Sequence, residues 1–147
     1  MQFSSTPRVS RKEWALALLV GLLLAGVTAV PYLLAYLTTQ PGTIFTGTLM
    51  NPEDSQTYFA KMLQGYDGRW LYTIVFTAEP HTPTFLGGFY FFLGHLARWT
   101  GLSITAVWHL ARTLSVLVLA VVVYGFVAYF LAGWRSRVVA FLTAVFG

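Results

Sequence analysis

The stretch that decides the fold is WALALLVGLLLAGVTAVPYLLAYL, residues 14–37, which carries no charged side chain over 24 positions. About 20 apolar residues are enough for a helix to cross the hydrocarbon core of a bilayer. A secretory signal peptide would have a shorter apolar region and a cleavage site made of small residues. The run instead continues through Pro31, which a membrane helix tolerates. It therefore predicts an uncleaved transmembrane helix.

The composition of the whole chain is typical of a membrane protein. Hydrophobic residues make up 56% of its 147 residues and charged residues only 10%, whereas soluble domains carry about 25% charged residues. So few charges cannot cover a water-facing surface, and 12 Phe, 8 Tyr and 5 Trp are too many for a disordered chain. The absence of cysteine excludes disulfides, thiolate zinc sites and cysteine nucleophiles.

Two further apolar runs follow later in the sequence. Residues 104–132 predict a second transmembrane helix, since the 19 residues from 113 to 131 carry no charge. Residues 138–147 predict only the start of a third helix, because 10 residues are too few to span a bilayer. We therefore expect an all-α, polytopic membrane protein. We also expect the chain to be either the N-terminal part of a longer polytopic protein or the product of a truncated reading frame, and to be inactive by itself.

The distribution of Lys and Arg predicts the topology. The segment 85–97 is apolar over only 13 residues, which suits an interfacial or re-entrant helix better than a span. If it does not cross, five cations face the cytoplasm (Arg8, Arg11, Lys12, Arg135 and Arg137) and three face outside (Lys61, Arg69 and Arg98). If it crosses, the split is four against four. The positive-inside rule favours the first arrangement, with residues 1–13 in the cytoplasm and an external loop at 38–103. The net charge of +4 thus indicates topology and no nucleic-acid partner.

The predicted external loop contains an acidic helix start. Asn51 is a preferred N-cap, proline is favoured at the first helical position, and Glu53 and Asp54 suit the first turn. We expect a short amphipathic helix over about 52–64, with Gly65 as its stop. The two acids either complement the helix dipole or act as functional carboxylates, and the pattern supports both interpretations.

Other candidate residues lie on the same helix or in the turns that follow it. Tyr58 and Lys61 come four and seven positions after Asp54, on one side of the helix. Arg69 stands in a glycine-containing turn, and His81 stands in a turn bracketed by prolines. Such a rigid turn either aims His81 into a cavity or leaves it as a surface histidine.

Arg112 lies in the first turns of the second predicted span. An ionisable side chain is costly in a bilayer and therefore suggests function, although an arginine also snorkels towards the headgroups. Arginine is well suited to bind phosphate in a dry site. His109 precedes Arg112 by three positions, which places both side chains on one helical face.

Taken in order, these features resemble the N-terminal region of the C-type integral-membrane glycosyltransferases. They are especially similar to the protein mannosyltransferases and the bacterial lipid A aminoarabinose transferases. The resemblance covers residues 14–131 and rests on the order and spacing of its parts. These are a membrane helix, the acidic pair with a tyrosine (53–58), the segment 60–65, the turns at 67–70 and 79–83, Gly-Leu at 101–102, and Arg112.

The resemblance implies a fold of many membrane helices, a first external loop that holds the catalytic acid, and a polyprenyl-phosphate-linked sugar donor in a bacterial plasma membrane. It assigns the acidic motif to Glu53 and Asp54, although the pair runs Glu-Asp in place of the more usual Asp-Glu. It assigns the basic, proline-rich turn to His81 and Pro83, where a lysine is frequent in place of the histidine. The arginine of the next helix corresponds to Arg112. The acceptor, whether protein, lipid or glycan, is not identified.

Sugar transfer with inversion gives these residues chemical roles. It needs a general base beside the acceptor hydroxyl, for which Asp54 is the first candidate and Glu53 the second. It also needs groups that stabilise the departing polyprenyl phosphate. The substrate-binding candidates are Tyr58, Lys61, Arg69, His81 and Arg112. A divalent metal ion held by Asp54 is a second route. The competing class is a non-catalytic membrane protein, an accessory subunit or transporter component, in which Asp54, His81 and Arg112 do not converge.

Overall fold

The computed structural model describes residues 9–147, without the side chain of Pro52. In that range the regular secondary structure is helical: α1 is Arg11–Leu37, α2 is Pro52–Tyr66, α3 is Gly88–Thr100, α4 is Ile104–Phe130 and α5 is Trp134–Phe146. The predicted all-α fold is therefore confirmed for the described part of the chain. Residues 1–8 of the predicted cytoplasmic segment 1–13, which include Arg8, lie outside the described residues.

Two of these helices are long and apolar enough to cross a membrane. Helices α1 and α4 have 27 residues each, and only 22% and 17% of their most apolar windows are buried. Many of their leucine and valine side chains are exposed in consequence. Such exposure is unfavourable in water and suits contact with lipid chains.

The chain divides into two compact units, the first of which contains Met1–Val30 and Thr113–Gly147. The buried core of this unit is small: Ala17, Val20, Ala120, Tyr124, Ala128 and Phe141. Gly21 lies so close to α4 that an added Cβ would stand 3.0 Å from the Cβ of Ala120. Small residues at this crossing allow the two apolar helices to pack almost backbone to backbone.

A buried polar cluster joins three helices of this first unit. Ser10 and Glu13 form a capping box, in which Ser10 N–H donates to Glu13 Oε2 at 2.8 Å and Glu13 N–H to Ser10 Oγ at 3.3 Å. This box explains why α1 begins at Arg11, before the apolar run. Glu13 Oε1 accepts from Tyr124 OH and from Arg137 Nη1, each at 2.8 Å. Glu13 and Arg137 are only 6% and 2% exposed, so they form a buried ion pair.

The second unit, Pro31–Arg112, contains α2 and α3 in close contact. An added Cβ on Gly65 would overlap the carbonyl group of Phe91, and one on Gly94 would overlap that of Met62. Glycine at both positions is what allows the two helix backbones to approach so closely. The core of this unit consists of Met62, Leu93, Ala97 and Val107.

The ends of several helices differ from the predictions. Helix α2 continues to Tyr66, and Gly65 is a packing residue within it instead of its stop, because α3 fills the space beside it. Asn51 occupies the N-cap with φ 46° and ψ 60°, but its side chain makes no capping hydrogen bond. Helix α3 begins and ends three residues later than predicted, with Gly101 at φ 72° after its last turn.

Candidate functional site

Glu53 and Asp54 occupy the first turn of α2, and both side chains are exposed. The positive end of the helix dipole stabilises negative charge at this position. A substrate or a metal ion can therefore reach both carboxyl groups from solvent.

Lys61 lies about two turns further along α2, inside a cage of tyrosine rings. Its Nζ is 5.0 Å from the ring centroid of Tyr72 and 5.9 Å from those of Tyr58 and Tyr90. The residue is only 7% exposed. Attraction between the ammonium group and the electron-rich ring faces compensates for part of the lost hydration. The predicted proximity of Tyr58 and Lys61 is observed, whereas Tyr72 and Tyr90 reach the cage from outside α2 and are not predicted by any pattern.

Stacking fixes the wall of the tyrosine cage. Tyr58 stacks on Tyr90 with ring centroids 4.5 Å apart and an interplanar angle of 18°. Trp108 stacks with both, at 5.9 Å from Tyr58 and 6.0 Å from Tyr90. Burial raises the pKa of Tyr72 and of Tyr90, and the neighbouring Tyr58 raises the pKa of Tyr90 further. The phenols of Tyr72 and Tyr90 therefore stay neutral at physiological pH and place no negative charge beside Lys61.

Gln64 holds the Tyr72 segment against α2. Its Nε2 donates to the Thr73 carbonyl at 2.8 Å, and its Oε1 accepts from Thr73 N–H at 2.9 Å. On the other side, Tyr72 and Thr84 form a β-bridge with backbone hydrogen bonds of 2.9 and 3.1 Å. These bonds fix the position of the Tyr72 ring relative to Lys61.

His81 closes the turn to which it belongs. Ile74 N–H donates to its Nε2 at 2.8 Å, and its Nδ1 lies 2.9 Å from the carbonyl oxygen of Glu79. This pair of contacts assigns the ring proton to Nδ1. Both ring nitrogens of His81 are thus engaged in ordering the loop, and a substrate contact would require one of these bonds to break.

Described residues of the second unit line two clefts. Arg69 is exposed and borders a cleft of about 330 Å³ together with Trp70, Thr73 and Pro83. The other cleft, of about 400 Å³, is mainly apolar and lies between the Phe59–Leu63 side of α2, Phe76 and Ile104. Its lining suits a hydrocarbon chain better than a sugar.

Arg112 has an aromatic partner near the start of α4. Its guanidinium carbon lies 4.5 Å from the ring centroid of Tyr32. His109, one turn earlier on the same helix, contacts that ring edge-on with the centroids 4.8 Å apart. The arginine that the sequence singles out therefore belongs to an aromatic and cationic cluster, which also contains a histidine that the sequence does not assign to a site.

Neither a metal-binding group nor a known relative identifies the function of these residues. Within the described range 9–147 there is no group of three or more His, Cys, Asp or Glu side chains that could hold a metal ion. In comparison with known proteins, no family model matches the chain, and no curated protein or solved structure matches it significantly.

Proposed function

We propose that the chain forms the membrane anchor and acidic site of a glycosyltransferase that uses a polyprenyl-phosphate-linked sugar. Transfer would occur to an acceptor on the extracytoplasmic side of the membrane. The observation that carries the proposal is the pairing of an exposed carboxylate, Asp54, with a sheltered cation, Lys61, on one helix. Seven residues correspond to about 10 Å along the helix axis. That separation suits a sugar phosphate whose anomeric carbon faces Asp54.

The chemistry assigns Asp54 the role of general base. The acceptor hydroxyl attacks the anomeric carbon as Asp54 takes its proton. The bond from that carbon to the phosphate oxygen breaks, and the electron pair leaves with the polyprenyl phosphate. Lys61 and Arg112 are the cations proposed to stabilise this leaving group. The apolar cleft between α2 and Phe76 is the proposed contact for its hydrocarbon chain.

The acidic pair could supply part of the ligand set of a divalent metal ion. Mg²⁺ is commonly held by one or two carboxylates, with phosphate oxygens and water completing its shell. Glu53 and Asp54 are adjacent and exposed, so they could supply those carboxylates to an ion that a donor phosphate helps to bind. When bound, such an ion would supply charge stabilisation to the phosphate.

Asp54→Asn tests the proposed base in the native full-length protein. We expect the rate of sugar transfer to fall by about 100-fold or more, because the amide cannot accept the proton. Asp67→Asn is the matched control, since Asp67 is also exposed and lies at the opposite end of α2. Equal transfer by Asp54→Asn and Asp67→Asn would remove Asp54 from the mechanism.

A non-catalytic polytopic membrane protein is the second candidate. It is favoured by His81, whose ring nitrogens are both engaged within its own turn. In that case Glu53 and Asp54 serve the helix dipole, and replacing both by amides leaves the cellular function of the protein intact. Loss of that function in the double variant would argue for the transferase.

A further inference from the structure

Several buried polar atoms in the second unit lack a hydrogen-bond partner. Among the described residues, neither His109 Nδ1 nor His109 Nε2 has one, and the same is true of Thr48 Oγ1. The backbone of Gly47 lies beside the imidazole. A buried polar group without a partner costs about 1–3 kcal/mol, so three such atoms in one region call for an explanation.

Gly47 allows the segment that carries Thr48 to pack closely against α4. It is buried with φ +92°, and an added Cβ would overlap the Thr105 side chain on α4. The segment that carries Thr48 therefore lies directly on α4, one turn before His109. The hydroxyl of Tyr36 is also close, 3.3 Å from that Cβ position, and the Tyr36 ring contacts His109 with centroids 6.5 Å apart. Only glycine permits this approach.

The region contains a cationic side chain. Arg112 lies over Tyr32 next to His109, and the residues that contact this histidine are aromatic or backbone groups. A guanidinium group, an imidazole and a hydroxyl can all donate hydrogen bonds. A ligand that carries acceptor oxygens and negative charge would accept hydrogen bonds from His109 and Thr48 beside the charge of Arg112, as a phosphate group does.

The position in the chain points to a lipid. Tyr32 and Tyr36 lie in the last turns of one helix long enough to cross a membrane, and His109 and Arg112 lie in the first turns of the other. An ionisable group in such a segment is by default a functional site.

We propose that His109 and Thr48, together with Arg112, form a phosphate-binding site for the headgroup of a membrane lipid. The inference rests on the proposed function in one respect, because a polyprenyl-phosphate donor carries such a group. His109 binds the phosphate directly and Thr48 donates a further hydrogen bond. Gly47 allows the segment that carries Thr48 to lie against α4.

The test uses the full chain in detergent, titrated with dihexanoyl phosphatidic acid and, separately, with inorganic phosphate. Binding is followed by ³¹P NMR. We expect His109→Phe, which keeps a ring between Tyr32 and Tyr36, to weaken binding by about tenfold, since it loses hydrogen bonds to a charged group. His109→Asn should retain part of the affinity. Thr48→Val should weaken binding a few-fold, whereas Thr43→Val, an exposed threonine in the same segment, should not.

The two ligands distinguish the source of the phosphate. Binding of both, with competition between them, shows a site that recognises the phosphate group alone. Binding of phosphatidic acid without competition by inorganic phosphate shows a lipid site. Equal binding by the native protein and His109→Phe, or binding of neither ligand, overturns the proposal and leaves water as the partner of the buried nitrogens. Because the readout is binding, its failure with sugar transfer intact rejects only this inference, whereas intact binding without sugar transfer rejects only the proposed activity.

Discussion

Lys61 is a buried cation held among three tyrosine rings. Burial of an ammonium group is costly, and the three tyrosine rings offset that cost without neutralising the charge by a carboxylate. An anion bound near Nζ would therefore find a cation whose charge is not already paired with an acid in the cage. The proposed function uses this positive charge of Lys61 to bind the phosphate of the donor.

Lys61→Met tests whether the positive charge of Lys61 contributes to sugar transfer. Methionine keeps an unbranched side chain of similar length among the rings but removes the charge, so we expect the fold to persist and sugar transfer to fall by about 100-fold. The matched control is Lys12→Met, because Lys12 is exposed near the start of α1. Transfer rates and thermal unfolding should be measured for both variants. A Lys61→Met protein that transfers sugar as fast as Lys12→Met would show that the cage has a structural role only.

At this scale the sequence predicts residue types and helical faces well, and partners poorly. The helical spacing predicts the proximity of Tyr58 and Lys61, which is observed. It cannot predict Tyr72 or Tyr90, which approach from other segments, or the engagement of both His81 nitrogens. These contacts depend on how loops fold over a helix, and no periodic pattern records that.

At the scale of helices, glycines and one buried ion pair determine the packing. Apolar runs and turn residues predict the helices within a few positions, because length and periodicity are local properties. The interpretation of Gly65 as a helix stop is wrong because its role is set by Phe91 on another helix. No local sequence pattern predicts the pairing of Glu13 with Arg137, because 124 positions separate them.

Arg137→Met tests the ion pair. It leaves Glu13 as a buried carboxylate without its cation, so we expect the free energy of unfolding in detergent to fall by about 3–5 kcal/mol. Arg135→Met is the matched control, because Arg135 is exposed on the same helix, and it should change stability by less than about 0.5 kcal/mol. Combining Arg137→Met with Glu13→Gln should recover part of the loss. Equal stability of the two single variants would mean that the pair does not hold the helices together.

Gly94→Ala tests the contact between α2 and α3. The added methyl group overlaps the carbonyl group of Met62, so the helices must separate and we expect a loss of about 1–3 kcal/mol. Gly26→Ala is the control, since no atom lies within 4 Å of the added Cβ, and there the better helix propensity of alanine should stabilise the protein slightly. The sign of the difference is the decisive observation. Stabilisation by both substitutions would contradict the close approach.

At the scale of the whole molecule, the main prediction is its orientation in the membrane. The distribution of Lys and Arg predicts that the connection between α4 and α5 is cytoplasmic and that the loop between α1 and α4 is external. Because the chain contains no cysteine, single cysteines can report on this without background. Ser136→Cys and Thr77→Cys change exposed residues on the two predicted sides.

We expect an impermeant maleimide to label Thr77→Cys in intact cells and to label Ser136→Cys only after the membrane is permeabilised. Labelling of Ser136→Cys from outside in intact cells would reverse the predicted orientation. It would also move the acidic pair to the cytoplasmic side, away from the proposed acceptor.

The proposed activity is cleavage of a lipid-linked sugar with Asp54 as the general base. The most direct measurement is release of polyprenyl phosphate from polyprenyl-phosphate sugars by the native full-length protein in liposomes, in the presence of cell-envelope acceptors. We predict release by the native protein and by Asp67→Asn, and a loss of about 100-fold or more in Asp54→Asn. Release that is unchanged in Asp54→Asn, or no release from any such donor, would contradict the claim.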